Sequence, residues 1–329
     1  LNRRTFLVAS AAASVASPAF AQALDFSAAA AYSAERRGVS LLVMRDGRTV
    51  FEDYPNGGGA SEGHELASGT KSFTGVIAAA AVQDRLLSWD EPCADTLSEW
   101  RGDERRRITI RHLLSLTSGV AGGPIARPPN YADAVATPSE AEPGARFAYG
   151  PTPFQVFGEI IKRKSNGDPL AYLQRRVFEP LSIDPTHWRR GGDGNPHMPS
   201  GAGLTARDWA RFGWFVMQDG EGRLDAEALA QCFIGTRANP GYGLSWWLWR
   251  EGLVAPGRSQ TVDVNPALVR QFGPISMAAG AGDQRLYLIP QQRLVIARQA
   301  SGILRALRRR QRDDNAWSDA TFLRTLLNA

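Results

Sequence analysis

Lysine is nearly missing from this chain: of 38 basic residues only Lys71, Lys162 and Lys164 are lysines, and the rest are arginines. Arginine keeps its proton near neutrality, so chemistry that needs an amine to shed one has three candidates. Cysteine is scarcer still. Cys93 and Cys232 are the two thiols, which excludes a disulfide framework, and their separation resembles neither a metal site nor a redox pair. Two buried free thiols are expected, with one disulfide as the alternative. Charge of one sign does not dominate: a formal net charge of +5 is a weak bias that argues against nucleic acid as a partner. After the first two dozen residues no apolar run approaches the roughly 20 residues of a membrane span. What remains, 43% hydrophobic and 22% charged over 329 residues, is enough to bury one large domain or two intergrown ones.

The N-terminal residues have their own logic. Leu1-Asn2-Arg3-Arg4 leads into a run of small apolar residues that ends at Ala19-Phe20-Ala21. A twin-arginine head, a short apolar stretch and an A-x-A site together predict a cleaved export signal over residues 1–21. The expected consequences are passage through the twin-arginine (Tat) export machinery, a periplasmic or secreted product of residues 22–329, and no stable membrane anchor after cleavage.

Residues 40–44 and 48–51 flank Asp46-Gly47, a strong hairpin signal. Phe73, Ile77, Ala80 and Ala81 recur at helical spacing and predict a long buried helix over residues 73–86. Residues 89–234 carry helical patterns at 111–116, 152–164 and 205–218 between polar loops. Strand patterns return at 243–249, 284–289 and 293–298, and residues 320–327 close the chain as an amphipathic helix. The expected fold is α/β (α+β): a mixed, mainly antiparallel sheet built from both ends of the chain (residues 24–88 and 235–329), flanked by helices, with a mostly helical part (89–234) inserted.

Ser68-Gly69-Thr70-Lys71 opens the long helix, and an S-x-x-K spacing puts hydroxyl and amine on one helical face, about 5–6 Å apart at Cβ. A neutral lysine can accept the serine proton and make the hydroxyl a nucleophile. Burial and the positive end of the helix dipole both favour that neutral form. The pattern alone is modest evidence, because 22 serines and 3 lysines produce roughly 0.2 such pairs by chance; an ordinary helix N-cap serine beside a solvated lysine is the competing reading. Composition weighs against a solvated lysine, since this chain places arginine at almost every other basic position.

The surrounding residues add a resemblance. Ala67-Ser68-Gly69-Thr70-Lys71-Ser72-Phe73-Thr74 closely resembles the active-site helix of the serine beta-lactamase and D-alanyl-D-alanine peptidase superfamily. It looks most like the class C-related branch and its family VIII esterase-like members. The likeness continues in order through Ile108-Thr109-Ile110-Arg111-His112-Leu113-Leu114, Pro143-Gly144-Ala145-Arg146-Phe147-Ala148-Tyr149, Phe178-Glu179-Pro180-Leu181, Gly203-Leu204-Thr205-Ala206-Arg207-Asp208 and Ala278-Ala279-Gly280-Ala281-Gly282-Asp283-Gln284. It implies that Tyr149 shares proton transfer with Lys71. It implies too that the backbone N–H groups of Ser68 and Ala281 form an oxyanion hole. Gly280, Gly282 and Trp246 are pocket candidates; Trp246, Trp247 and Trp249 could all line an acyl pocket, although aromatic residues on an inner strand are more easily read as core. No cofactor or metal is implied.

Two positions depart from the family pattern. Pro151 stands where Asn is common, and it offers neither a side-chain donor nor an N–H. Ala278 stands where a Lys or His usually begins the third element and meets a substrate carboxylate. These losses point away from beta-lactams and D-alanine peptides and towards a small-molecule ester or uncharged amide. A beta-lactamase or carboxypeptidase is the second reading, and a binding or sensing protein without turnover the third. His112 is expected to be structural, and residues 305–312 a solvated basic face.

Overall fold

The Asp46-Gly47 turn does what its residues favour. In this computed structural model, which describes residues 23–255, 262–308 and 316–329, both adopt positive φ, 53° and 75°. The turn joins β1 (Gly38–Arg45) to β2 (Arg48–Asp53). Successive positive φ values give a turn whose twist matches that of the strands it connects. Three short strands follow, β3 (His64–Glu65), β4 (His187–Trp188) and β5 (Ala202–Leu204), and pair as a small sheet in the order β3-β5-β4. β6 (Trp247–Leu248), β7 (Ser276–Gly280), β8 (Gln284–Ile289) and β9 (Leu294–Ala300) then join the first hairpin. The resulting six-stranded antiparallel sheet has the order β2-β1-β9-β8-β7-β6. Both ends of the chain therefore build it, as expected.

β8 and β9 are buried along their whole length, so helices must cover both faces. On one face lies the helix Ala206–Met217, where a Cβ added to Gly213 would come within 2.8–3.1 Å of Val295, Leu286 and Leu288. The glycine lets helix and sheet backbones approach. This corrects the expectation that residues 205–218 belong to the inserted helical part: their helix rests on the sheet. On the other face Arg285 and Arg298 are cross-strand partners. Arg285 Nε bonds Asp319 Oδ1 at 2.6 Å, and the Arg298 guanidinium lies 3.8 Å from the centroid of the Trp317 ring. Asp319 begins the C-terminal helix Asp319–Leu327, and its buried carboxylate also accepts from Tyr287 and Trp317. That helix and the N-terminal helix Phe26–Glu35 complete the second layer.

The long buried helix forms over Lys71–Gln83, with every residue from Lys71 to Ala81 buried. Within the middle of the chain, helix Thr152–Ser165 matches its pattern, whereas β4 and β5 contradict the expectation that strands return only after residue 234. Strands of two or three residues carry no readable alternation. The pattern at 243–249 yields strand only at Trp247–Leu248. Both cysteines are buried and unpaired. The expected export signal lies outside the described residues, as do residues 309–312 of the basic run. No helix among the described residues is long and apolar enough to cross a membrane.

Candidate active site

Ser68 sits in a 3₁₀ turn, Ala67–Thr70, that runs directly into helix Lys71–Gln83. Ala67, immediately before it, holds φ at 46°, a left-handed conformation costly for a residue with a Cβ. Ser68 is 6% exposed and its side chain caps nothing; the N-cap reading fails. Instead Lys71 Nζ lies 3.0 Å from Ser68 Oγ, with its other hydrogen bond to Pro199 O at 3.2 Å. The amine is 3% exposed and packs against the rings of Tyr149 and Phe154, 4.9 and 5.4 Å from their centroids. Burial pulls the Lys71 pKa down to about 7. At neutral pH a substantial fraction is the free amine, which can take a proton from Ser68 across the same contact.

Tyr149 closes the group. Its phenol is buried, and burial pushes its pKa up to about 12, with the nearby Ser68 hydroxyl pulling the other way. The two oxygens are close enough to influence one another, yet the Tyr149 hydroxyl has no hydrogen bond of acceptable geometry. A buried hydroxyl left unsatisfied is a group awaiting a partner. Its ring is held by aromatic neighbours, lying nearly parallel to Trp247 at 5.7 Å and edge-on to Tyr242 at 6.5 Å.

β7 ends against the turn that carries Ser68. A Cβ on Gly280 would stand 2.1 Å from Leu66 O and 3.1 Å from Gly69 N, so only glycine lets the two backbones meet. That approach places Ala281 beside Ser68, and both line a cavity of about 70 Å³. Glu65, Arg189 and Ser200 form the polar part of its wall, while Ile125, Ile303, Leu304 and Leu307 form an apolar part. Gly282, with φ at 75°, turns the chain against Ile303.

Trp246 does not belong to this wall. It is fully buried and packs on Phe212 and Phe233, because alternation along the chain directs it to the core while Trp247 backs Tyr149. Trp249 is core as well. His112 completes a capping box with Thr109 at the start of helix Ile110–Leu114, the structural duty expected of it. Pro151 stands at the start of helix Thr152–Ser165, and Ala278 is buried in β7. Sequence reasoning missed Glu65, Arg189 and the helix Ile303–Arg308, which line the cavity, and Pro199, whose carbonyl holds Lys71; no motif marked Arg189 or Pro199.

A buried serine and a lysine of lowered pKa, at the start of a buried helix and beside the end of an antiparallel strand, narrow the comparison to one group of folds. The family profile described as Beta-lactamase matches residues 20–318. The chain belongs to the beta-lactamase family. Within this family it is 26% identical over 163 residues to a beta-lactamase of Yersinia enterocolitica, covering 45% of this chain and 42% of that one. It is 27% identical over 150 residues to a lovastatin esterase of Penicillium rubens, covering 36% and 37%. These matches span less than half the length of either relative. The fold is shared with the D-stereospecific amidohydrolase of a Streptomyces species, at TM-score 0.62 and 16% identity over 83% of this chain and 93% of that one. The beta-lactamase family is in general one of serine hydrolases.

Proposed function

We propose that this chain is an exported serine hydrolase that cleaves an ester or amide of a small molecule through an acyl-enzyme on Ser68. The observation that carries the reading is the 3.0 Å contact between Ser68 Oγ and a buried Lys71 whose pKa lies near neutrality. Lys71 takes the hydroxyl proton as Ser68 Oγ bonds to the carbonyl carbon. The N–H groups of Ser68 and Ala281 receive the developing oxyanion. Tyr149, protonated at every physiological pH, relays a proton from Lys71 to the leaving group as its bond to the carbonyl carbon breaks. Water then adds to the acyl-enzyme, releasing the acid and restoring the serine.

Esters and amides come before beta-lactams in this reading because Ala278 and Pro151 remove two polar groups from the site. The lovastatin esterase relationship supports the same order. The Arg3-Arg4 pair, the short apolar run and Ala19-Phe20-Ala21 support the export reading. A panel of p-nitrophenyl esters, anilides and beta-lactams, assayed with the wild type and Ser68→Ala, tests the proposal. Turnover of esters or anilides that vanishes in the variant is expected; turnover of beta-lactams alone would replace this reading with the lactamase one.

A further inference from the structure

We infer that Arg189 is a specificity-determining residue that binds a carboxylate carried by the substrate. The inference rests on the hydrolase reading of Ser68, and it gives that reading a substrate class.

Arg189 lines the same cavity as Ser68 and Ala281. Its main chain is fixed on both sides, by Arg189 N to Gly201 O and by His197 N to Arg189 O, each at 2.9 Å. The guanidinium is fixed as well, donating through Nη2 to Ser200 O at 3.1 Å. The preceding carbonyl, Pro199 O, holds Lys71 at 3.2 Å. Two consecutive carbonyls thus set the base and the guanidinium in one frame, and a substrate anchored on Arg189 has a defined register against Ser68.

The guanidinium keeps donors free beyond these contacts. Its side chain is 47% exposed, and its ion pair with Glu65, Nη1 to Oε1 at 3.6 Å, is longer than a hydrogen bond. Five N–H donors in a planar fork match a carboxylate in two parallel bonds, and one such donor is spent on Ser200. Among the described residues Glu65 is the other charged group on the wall, and it is flanked by Arg189 and by the His187 ring at 4.0 Å. An ammonium arriving there would meet the Arg189 guanidinium beside that carboxylate. A carboxylate can take the guanidinium donors that Ser200 O and the long Glu65 pair leave free.

Two ester pairs read the effect: p-nitrophenyl hydrogen adipate against its methyl ester, and 3-carboxyphenyl hexanoate against its methyl ester. They place the carboxylate in the acyl part or in the leaving group. The wild type is expected to favour the acid in one pair by about tenfold in kcat/KM, the scale of a half-exposed charge-assisted pair. Arg189→Gln should bring that ratio to near parity, and Arg189→Lys should keep part of it. Parity in both pairs for the wild type overturns the inference, as does an unchanged ratio in Arg189→Gln. A preference for an ammonium-bearing ester that depends on Glu65 overturns it too. Fluorophosphonate labelling separates the levels: protein labelled at Ser68 without a carboxylate preference removes the role of Arg189 alone, while protein that neither labels nor turns over removes both readings.

Discussion

The amine of Lys71 is held between Ser68 Oγ at 3.0 Å and Pro199 O at 3.2 Å, inside a shell of aromatic rings that keeps water away. Burial, rather than a neighbouring cation, brings its pKa to about 7. The arrangement couples stability, pH dependence and reactivity in one side chain.

The rate should therefore follow the free amine. Ester kcat/KM is expected to rise with pH through an apparent pKa near 7 and level off above it. Profiles between pH 5 and 9 check this; a flat profile would show that Lys71 is not the base. Lys71→Arg should be inactive, because a guanidinium stays protonated throughout.

The same burial costs stability. Lys71 binds a proton less readily folded than unfolded, so the unfolded chain holds more protons between pH 7 and about 10.5. Stability contributed at this site accordingly rises with pH across that window and is lowest below pH 7. Lys71→Met is predicted to be inactive yet more stable by about 0.5–2 kcal/mol at pH 7, with the gain shrinking towards pH 10. Urea melts at three pH values measure it.

Tyr149→Phe removes a proton carrier without disturbing the rings around it. A loss of about 10²–10³ in kcat is expected for alkyl esters, whose leaving groups need a proton, and a smaller loss for p-nitrophenyl esters, whose leaving group does not. Equal losses on both would mean a packing role.

Arg285 and Asp319 form a buried ion pair at 2.6 Å between the sheet and the C-terminal helix, with Arg285 also donating to Gly280 O at 3.2 Å. Asp319→Ala should cost about 3–5 kcal/mol, because it strands a buried guanidinium and frees the Tyr287 and Trp317 donors. Thermal unfolding is the readout, and a shift of less than a degree or two would contradict it.

The comparison of sequence with structure divides along physical lines. Asp46-Gly47 was legible because positive φ demands such residues, and the Lys71–Gln83 helix because its apolar periodicity is long. Lys71 stood out against a background of arginine. The strands β3, β4 and β5 were illegible, being too short for a period, and β7 was legible only through resemblance, since Ser276, Ala278, Ala279 and Gly280 carry no strand preference. Trp246 was misplaced because one-residue alternation decides between core and cavity, and the irregular chain at 243–246 hides that register. Arg189 and Pro199 meet Ser68 and Lys71 only through tertiary packing, which no local pattern encodes.

The central claim is an activated Ser68. Labelling the purified protein with a fluorophosphonate and mapping the adduct, beside Ser68→Ala, Lys71→Ala and Tyr149→Phe, tests it most directly. The account predicts an adduct on Ser68 that is absent in Ser68→Ala and slower to form in the other two variants. An adduct on another serine, or none in folded protein, would contradict it.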